Sequence, residues 1–344
     1  MASTVEIAEA AGVSQATVSR VINNQAGVAP ETVKLVRDMI NRLGYQPRSR
    51  KVRKPAQPEK PFKNVAVIML DESCQRHPTL AMAKLKGVQQ ALALAGMNMI
   101  LADVSGGNLD VPAIDQKKLD GVLLWGHRGS KELLDKMRGL PAVWLSSHVS
   151  SNDSVVSQGN AAIGQLAGEY LLKRKHTKLC FLTVRSDHPG FVARGDGFGY
   201  AAHRAGHEIT RFQSKQEIPF ERMSTQQLEE ALAPLVSTML AEMPRPIGLF
   251  LPDDQITATV YRVLQRQGVE VGREIEIVSC NNEEPYLAGL HPRPATIDLA
   301  PELTGRRAVE QLLWNIQQPE QSGRHVELIV EPILIDGESL TEPA

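Results

Sequence analysis

The stretch GVSQATVSRVIN, Gly12 to Asn23, crowds hydrogen-bonding side chains into one short segment: Ser14, Gln15, Thr17, Ser19 and Arg20. Hydroxyls, a glutamine amide and an arginine fork are the groups that hold phosphates and read base edges in duplex DNA. On a generic three-helix bundle the same residues would only solvate a surface, and pattern alone leaves both readings open. Covalent chemistry has less footing. GHRGSK, Gly126 to Lys131, has the wrong glycine spacing for a phosphate-binding loop. No Gly-x-Ser-x-Gly elbow is present. The chain therefore reads as a non-enzyme, with no cofactor and no metal expected.

Three short helices would position those groups. Ser3 and Glu6 form a capping box at the start of STVEIAEAAG. Gly12 suits a helix C-terminus that needs positive φ, and Ser14 caps a second helix after a Gly-Val connection. Pro30 fits the first turn of a third, along which Val33, Val36, Ile40 and Leu43 are spaced as one buried stripe ending at Gly44. Two helices joined by so tight a turn make a helix-turn-helix. Val18, Val21 and Ile22 would hold the second helix to the others, leaving Gln15, Ala16, Thr17, Ser19 and Arg20 outward. That face is slender enough for the ~12 Å major groove.

Charge points the same way. Of 344 residues, the first 60 carry ten Lys/Arg against five Asp/Glu, and the remainder 28 against 34, so a basic head precedes an acidic body. Hydrophobic content of 42% and charged content of 22% are ordinary for a globular protein. Cys74, Cys180 and Cys280 make no disulfide framework and no zinc pattern. With no long apolar run and no signal-peptide pattern at the N-terminus, a cytoplasmic protein is expected.

VEIAEAAGVSQATVSRVINN followed by VAPETVKLVRDMINRLGYQP closely resembles the DNA-binding head of the LacI/GalR family of bacterial transcription regulators, over residues 4–47. The resemblance implies that Gln15, Ala16 and Arg20 read bases. It implies that Ser14, Thr17, Ser19 and Asn23 meet the phosphates and that Tyr45 lies near the backbone, with Thr4 and Asn24 also among the DNA-binding residues. In the family the next segment forms a hinge helix that inserts a leucine into the minor groove. Here RSRKVRKPAQPEKPF, residues 48–62, has no leucine, and Val52 is its only apolar candidate. Pro55, Pro58 and Pro61 exclude a long helix. Arg48, Arg50, Lys51, Arg53 and Lys54 are expected to lie along phosphates or a narrow groove, unless the segment is only a solvated basic linker.

From residue 63 the texture changes. NVAVIML, MNMILAD, GVLLWG, AVWLSS, KLCFLTV, IGLFLPD and IEIVSCNN are short apolar runs separated by amphipathic stretches, the pattern of parallel sheets covered on both faces. The pattern predicts doubly wound α/β structure in two similar halves, and the resemblance implies the whole fold: an all-α helix-turn-helix head plus an α/β two-lobed periplasmic-binding-protein-like effector module with two doubly wound parallel sheets. The domains would be 1–47, a basic Pro-rich hinge at 48–62, and an effector-binding and dimerisation domain at 63–344. Its first lobe would hold about 63–150 and 298–319, and its second 155–282 and 325–336. By resemblance, PELTGRRAVEQLLWNI would return to the first lobe and HVELIVEPILI would close the second, with crossings near 147–158, 281–298 and 319–325. The segment from Gly106 to Leu119 is shorter than the family usually shows.

Ligands of such sheets bind beyond the carboxyl ends of the strands, which selects Gln75, His77, Arg128, Ser146, His148, Arg194, Asp253 and Asn281. The set is rich in hydrogen-bonding groups, as a sugar-like molecule requires. By resemblance, Arg194 in FVARGDGFGYAA grips ligand hydroxyls or carboxylates with its planar fork. Asp253 and Asp254 are pocket candidates, and for Asp254 a helix-capping role is an equal alternative. Where the family usually has an acidic pair that binds sugar hydroxyls, this chain has Asn281 and Asn282. If His77, His127 and His148 cluster, they favour an anionic ligand or confer pH sensitivity.

The expected function is a sequence-specific DNA-binding regulator, a repressor, acting as a homodimer on a near-palindromic operator and modulated by a small polar ligand. Two rivals remain at this stage. One is a solute-binding protein of the same two-lobed fold. The other is a DNA binder with a vestigial pocket.

Overall fold

Ser3 opens the first helix, α1 (Thr4–Ala10), through the expected capping box: its N–H donates to Glu6 Oε2 at 2.7 Å, and Glu6 N–H donates to Ser3 Oγ at 3.3 Å. Gly12, at φ +63°, makes the turn into α2 (Gln15–Ile22). Ser14 Oγ accepts from Thr17 N–H at 3.1 Å, so the serine does cap that helix. Pro30 is the first residue of α3 (Pro30–Arg42). Ile7, Ala8, Ala11, Val18, Val21 and Val36 form the buried centre of the three helices. The expected stripe on α3 needs one correction. Leu43 is 41% exposed, because the helix has already ended there, and Met39 packs inward with Val33 and Ile40.

The structure, a computed structural model, describes residues 3–22, 28–44, 62–70, 77–106, 111–126, 129–145, 153–214, 223–321 and 324–338. The chain divides into two compact units, Met1–Lys60 and Pro61–Ala344.

In the second unit, β1 (Asn64–Met69), β2 (Asn98–Asp103), β3 (Gly121–Trp125), β4 (Ala142–Trp144), β5 (Ser154–Ser157) and β11 (Glu327–Ile329) form one parallel sheet in the order β11-β5-β4-β3-β1-β2. A second parallel sheet runs β7-β6-β8-β9, from β6 (Leu179–Thr183), β7 (Ile209–Gln213), β8 (Ile247–Phe250) and β9 (Ile275–Val278). Central strands β3, β5, β6 and β8 are buried along their whole length, whereas edge strands β2, β7 and β11 are not. A short antiparallel ribbon, β10 (Thr296–Asp298) with β12 (Ile333–Ile335), adjoins the second sheet through bridges Val278↔Ala295 and Asn281↔Asp298.

These pairings move the lobe boundaries. Ser154–Ser157 and Glu327–Ile329 belong to the first sheet, not the second lobe, because their backbones complete its ladder beside β4. The chain therefore crosses between lobes near 158–159, at the end of the first expected range, and near 299–300 and 330–332, beyond the other two. Helix α12 (Pro301–Gln317) does pack on the first sheet. Between Gly106 and Leu119 the described residues hold a single four-residue helix, Pro112–Asp115.

One helix contact sets the cleft geometry. Helices α7 (Asn160–Lys173) and α8 (Pro189–Arg204) meet backbone to backbone at Gly164 and Gly197. A Cβ at 164 would lie 2.5 Å from Phe198 N and closer still to the Arg194 carbonyl oxygen. Only glycine permits that approach, and it brings Asn160 beside Arg194.

Candidate DNA-reading face and interlobe cleft

On α2, Gln15, Ala16, Ser19 and Arg20 are exposed while Val18 and Val21 face the core. Positions 15 and 19, and 16 and 20, stack one turn apart, so the four make a single face. Thr17 is half-buried, its hydroxyl 2.9 Å from Ser14 Oγ at the helix N-terminus, where a phosphate finds unpaired N–H groups. Thr4 joins them: Gln15 Nε2 donates to Thr4 Oγ1 at 3.0 Å, which steers the glutamine amide across the start of α2. Asn23, Asn24, Tyr45, Arg48, Arg50, Lys51, Val52, Arg53 and Lys54 lie outside the described residues.

The cleft is built from strand ends. His77 follows β1 and caps the N-terminus of α4 (Pro78–Leu94) without a side-chain hydrogen bond to that helix. Asp253 ends β8 and is the N-cap of α10 (Asp254–Arg266), Oδ1 accepting from Gln255 N–H at 2.8 Å and Ile256 N–H at 3.1 Å. Glu283 follows β9. The His77 ring reaches from the first lobe to both carboxylates, with Nε2 2.9 Å from Asp253 Oδ2 and Nδ1 2.6 Å from Glu283 Oε2. A carboxylate oxygen facing each nitrogen favours the doubly protonated ring. Burial by itself would lower the His77 pKa, but the charge and hydrogen bonds of Asp253 and Glu283 outweigh it and push the value up to about 10. Leu80, one turn on, also packs against the second lobe's core.

Arg194, 4% exposed, staples the floor of the second lobe. Its Nε donates to Asn160 Oδ1 at 2.9 Å, and Nη1 donates to Pro252 O at 2.5 Å and Asn281 Oδ1 at 3.3 Å. Asn281 turns its other side outward: Nδ2 lies 3.4 Å from Glu283 Oε2. An amide can accept from a cation and donate to a carboxylate at once; an aspartate here would repel Glu283. The charge expected at 281 has thus moved two residues along the loop. Asn281 and Asn282 also sit at positive φ, +111° and +56°, which asparagine tolerates better than most residues.

The two aspartates divide their roles differently from expectation. Asp253 is the cap, and Asp254 turns inward to accept from Ser279 Oγ, from Thr296 Oγ1 at 3.2 Å and from Glu283 N–H at 2.6 Å. Burial raises the Asp254 pKa to about 7, against the lowering effect of the Glu283 N–H and the Ser279 hydroxyl. Asp254 therefore positions the Glu283 loop rather than facing a ligand. Gln75, Arg128, Ser146, His127 and His148 lie outside the described residues. His77 does not create an anion site, since its charge is spent on two carboxylates. The rule that ligands sit beyond strand ends selects the loop from Asn281 to Glu283 without marking Glu283 above its neighbours, and nothing local marks Asn160. Among the described residues, no group of three or more His, Cys, Asp or Glu is placed to hold a metal ion. No helix among them is long and apolar enough to cross a membrane.

Residues 5–48 match the family described as bacterial regulatory proteins, lacI family. Residues 169–340, half of the chain, match the periplasmic binding protein-like domain. The ribose operon repressor of Escherichia coli (strain K12) is 26% identical over 349 residues, covering 98% of this chain and 99% of that one. The fold is similar to that of the transcriptional regulator CelR in its cellobiose complex, with a TM-score of 0.66 and 23% identity over 98% of this chain and 100% of the other. It is also similar to the lac repressor dimer bound to operator and anti-inducer, with a TM-score of 0.63 and 18% identity over 98% of both chains.

Proposed function

The chain belongs to the bacterial regulators that join a lacI-family head to a periplasmic-binding-protein-like domain, and from that premise we propose that it is a DNA-binding repressor controlled by a small polar ligand. The observation that carries the proposal is the exposed face Gln15–Ala16–Ser19–Arg20 on a capped helix whose apolar residues are consumed in holding it. Arginine and glutamine offer bidentate pairs to base edges, and Ser14 and Thr17 offer hydroxyls to phosphates. Two heads of a homodimer would read the two halves of a near-palindromic operator. A dimer on operator is the state named for the lac repressor structure. Such a protein works where the chromosome is, in the cytoplasm, and needs no catalytic step.

The second unit supplies the control. A sugar-like molecule bound between the lobes would contact Arg194, Asn281, Asp253 and Glu283 and change how the lobes close; the structurally similar CelR is a cellobiose complex. We propose the working division as head 1–47, linker 48–62 and effector domain from 63. Such coupling is typically about 1–3 kcal/mol, or about 5–150-fold in operator affinity. Selecting bound duplexes from a random library and footprinting them tests the reading. A recurring palindrome with two protected half-sites is expected; selection that converges on no sequence at any salt concentration overturns it.

A further inference from the structure

We propose that the cleft is an amine subsite, in which Asp253 and Glu283 are arranged to receive a protonated amino group and His77 fills that place from within the chain until a ligand displaces it. The proposal rests on the reading that this cleft binds the effector, and it names the effector's chemistry.

Three features carry it. First, Asp253 and Glu283 are each 1% exposed, yet both spend their charge on one ring delivered from the opposite lobe. His77 is tied to its own helix by no side-chain cap bond and remains 19% exposed, so it can leave. Second, the remaining oxygen of Glu283, Oε1, is buried with no hydrogen-bond partner. A carboxylate oxygen only accepts, so that place calls for a donor, and an ammonium group brings three where imidazolium brings two. Third, Arg194 does not neutralise the pair. Its three hydrogen bonds end on the neutral oxygens of Asn160, Pro252 and Asn281, and the Asn281 amide stands between it and Glu283.

Charge then selects the ligand. Displacing His77 with a neutral sugar would strand two buried carboxylates, whose desolvation nothing repays. Displacing it with a protonated amine replaces one cation by another and adds a donor for Oε1. An amino sugar meets both demands, its hydroxyls facing Arg194 and Asn281.

The test uses the full chain and His77→Ala, with methylammonium, tetramethylammonium, glucosamine and glucose as probes in a thermal-shift titration. In His77→Ala, methylammonium and glucosamine should raise the midpoint saturably. Tetramethylammonium, which has no N–H, should not, and adding Glu283→Gln should abolish the response. Glucosamine should bind about tenfold more tightly than glucose. Equal stabilisation by glucose, or a folded His77→Ala indifferent to methylammonium, overturns the proposal. Should His77→Ala fail to fold, refolding yield is read instead: recovery with methylammonium but not tetramethylammonium supports it, and recovery with neither overturns it. Operator binding on the same samples separates the two readings. An intact operator complex without amine response refutes the subsite alone, whereas an amine response in a chain that selects no duplex refutes the regulator.

Discussion

Gly164→Ala puts the geometry of the second lobe to a direct test. The added Cβ would fall 2.5 Å from Phe198 N and 2.9 Å from the Arg194 carbonyl carbon, both backbone atoms of α8 that cannot rotate aside. Ordinary contact needs about 3.4 Å or more, and the Arg194 carbonyl oxygen lies nearer still, so the helices must part by more than about 1 Å, an overpacking that costs about 1–3 kcal/mol. The same movement stretches the 2.9 Å bond between Arg194 Nε and Asn160 Oδ1 past hydrogen-bonding range. Losing a charged hydrogen bond costs about 1.5–3 kcal/mol. Alanine returns about 1 kcal/mol as the better helix former. The balance is about 1.5–5 kcal/mol, and at roughly 2 °C per kcal/mol the melting midpoint should fall by about 3–10 °C. Gly197→Ala, whose Cβ would fall 2.9 Å from the Ala161 carbonyl carbon, should behave alike. Thermal unfolding followed by circular dichroism measures both. A Gly164→Ala protein melting at or above the parent temperature would refute the close crossing and, with it, the placement of Arg194.

Arg20→Ala should cost about 1–3 kcal/mol of discrimination between operator and random duplex while most salt-sensitive binding survives; equal losses on both in a fluorescence-anisotropy titration would remove Arg20 from base reading. Stability of the effector domain should decline as pH rises from 6.5 to 10: His77, raised to about 10 in the folded protein, contributes fully below 6.5, and that contribution is lost as its ring deprotonates against Asp253 and Glu283. Asp254, raised to about 7, adds a decline between about 4 and 7, because the folded state holds a proton that the unfolded chain releases. Melting midpoints across pH should therefore flatten above 6.5 in His77→Gln, and an unchanged slope would count against the ion pair.

The parts of this protein that were legible in sequence are local ones. The capping box at Ser3–Glu6, the turn at Gly12, the Ser14 cap and Pro30 are each set by neighbours within four residues. The head could thus be read before any packing was known. The buried strands were legible for a related reason: a strand covered on both faces must be apolar throughout, as in Gly121–Trp125 and Leu179–Thr183. Ile209–Gln213 and Ser154–Ser157 were missed because polar residues interrupt or bracket them, ITRFQ and SVVS, so neither shows an uninterrupted apolar run.

The cleft is different in kind. His77 and Glu283 stand 206 residues apart, and nothing in the spacing of either predicts that one ring will bridge two carboxylates. The meaning of Asn281 was equally out of reach. As a residue type it signalled only a missing charge; in three dimensions it separates Arg194 from a carboxylate two residues further on. Residue types and short-range spacing are sequence properties, so element identity and the exposed polar face of the second helix follow from them. Which charges meet across the lobes depends on strand order and helix packing distance, and those are decided only when the whole chain is assembled.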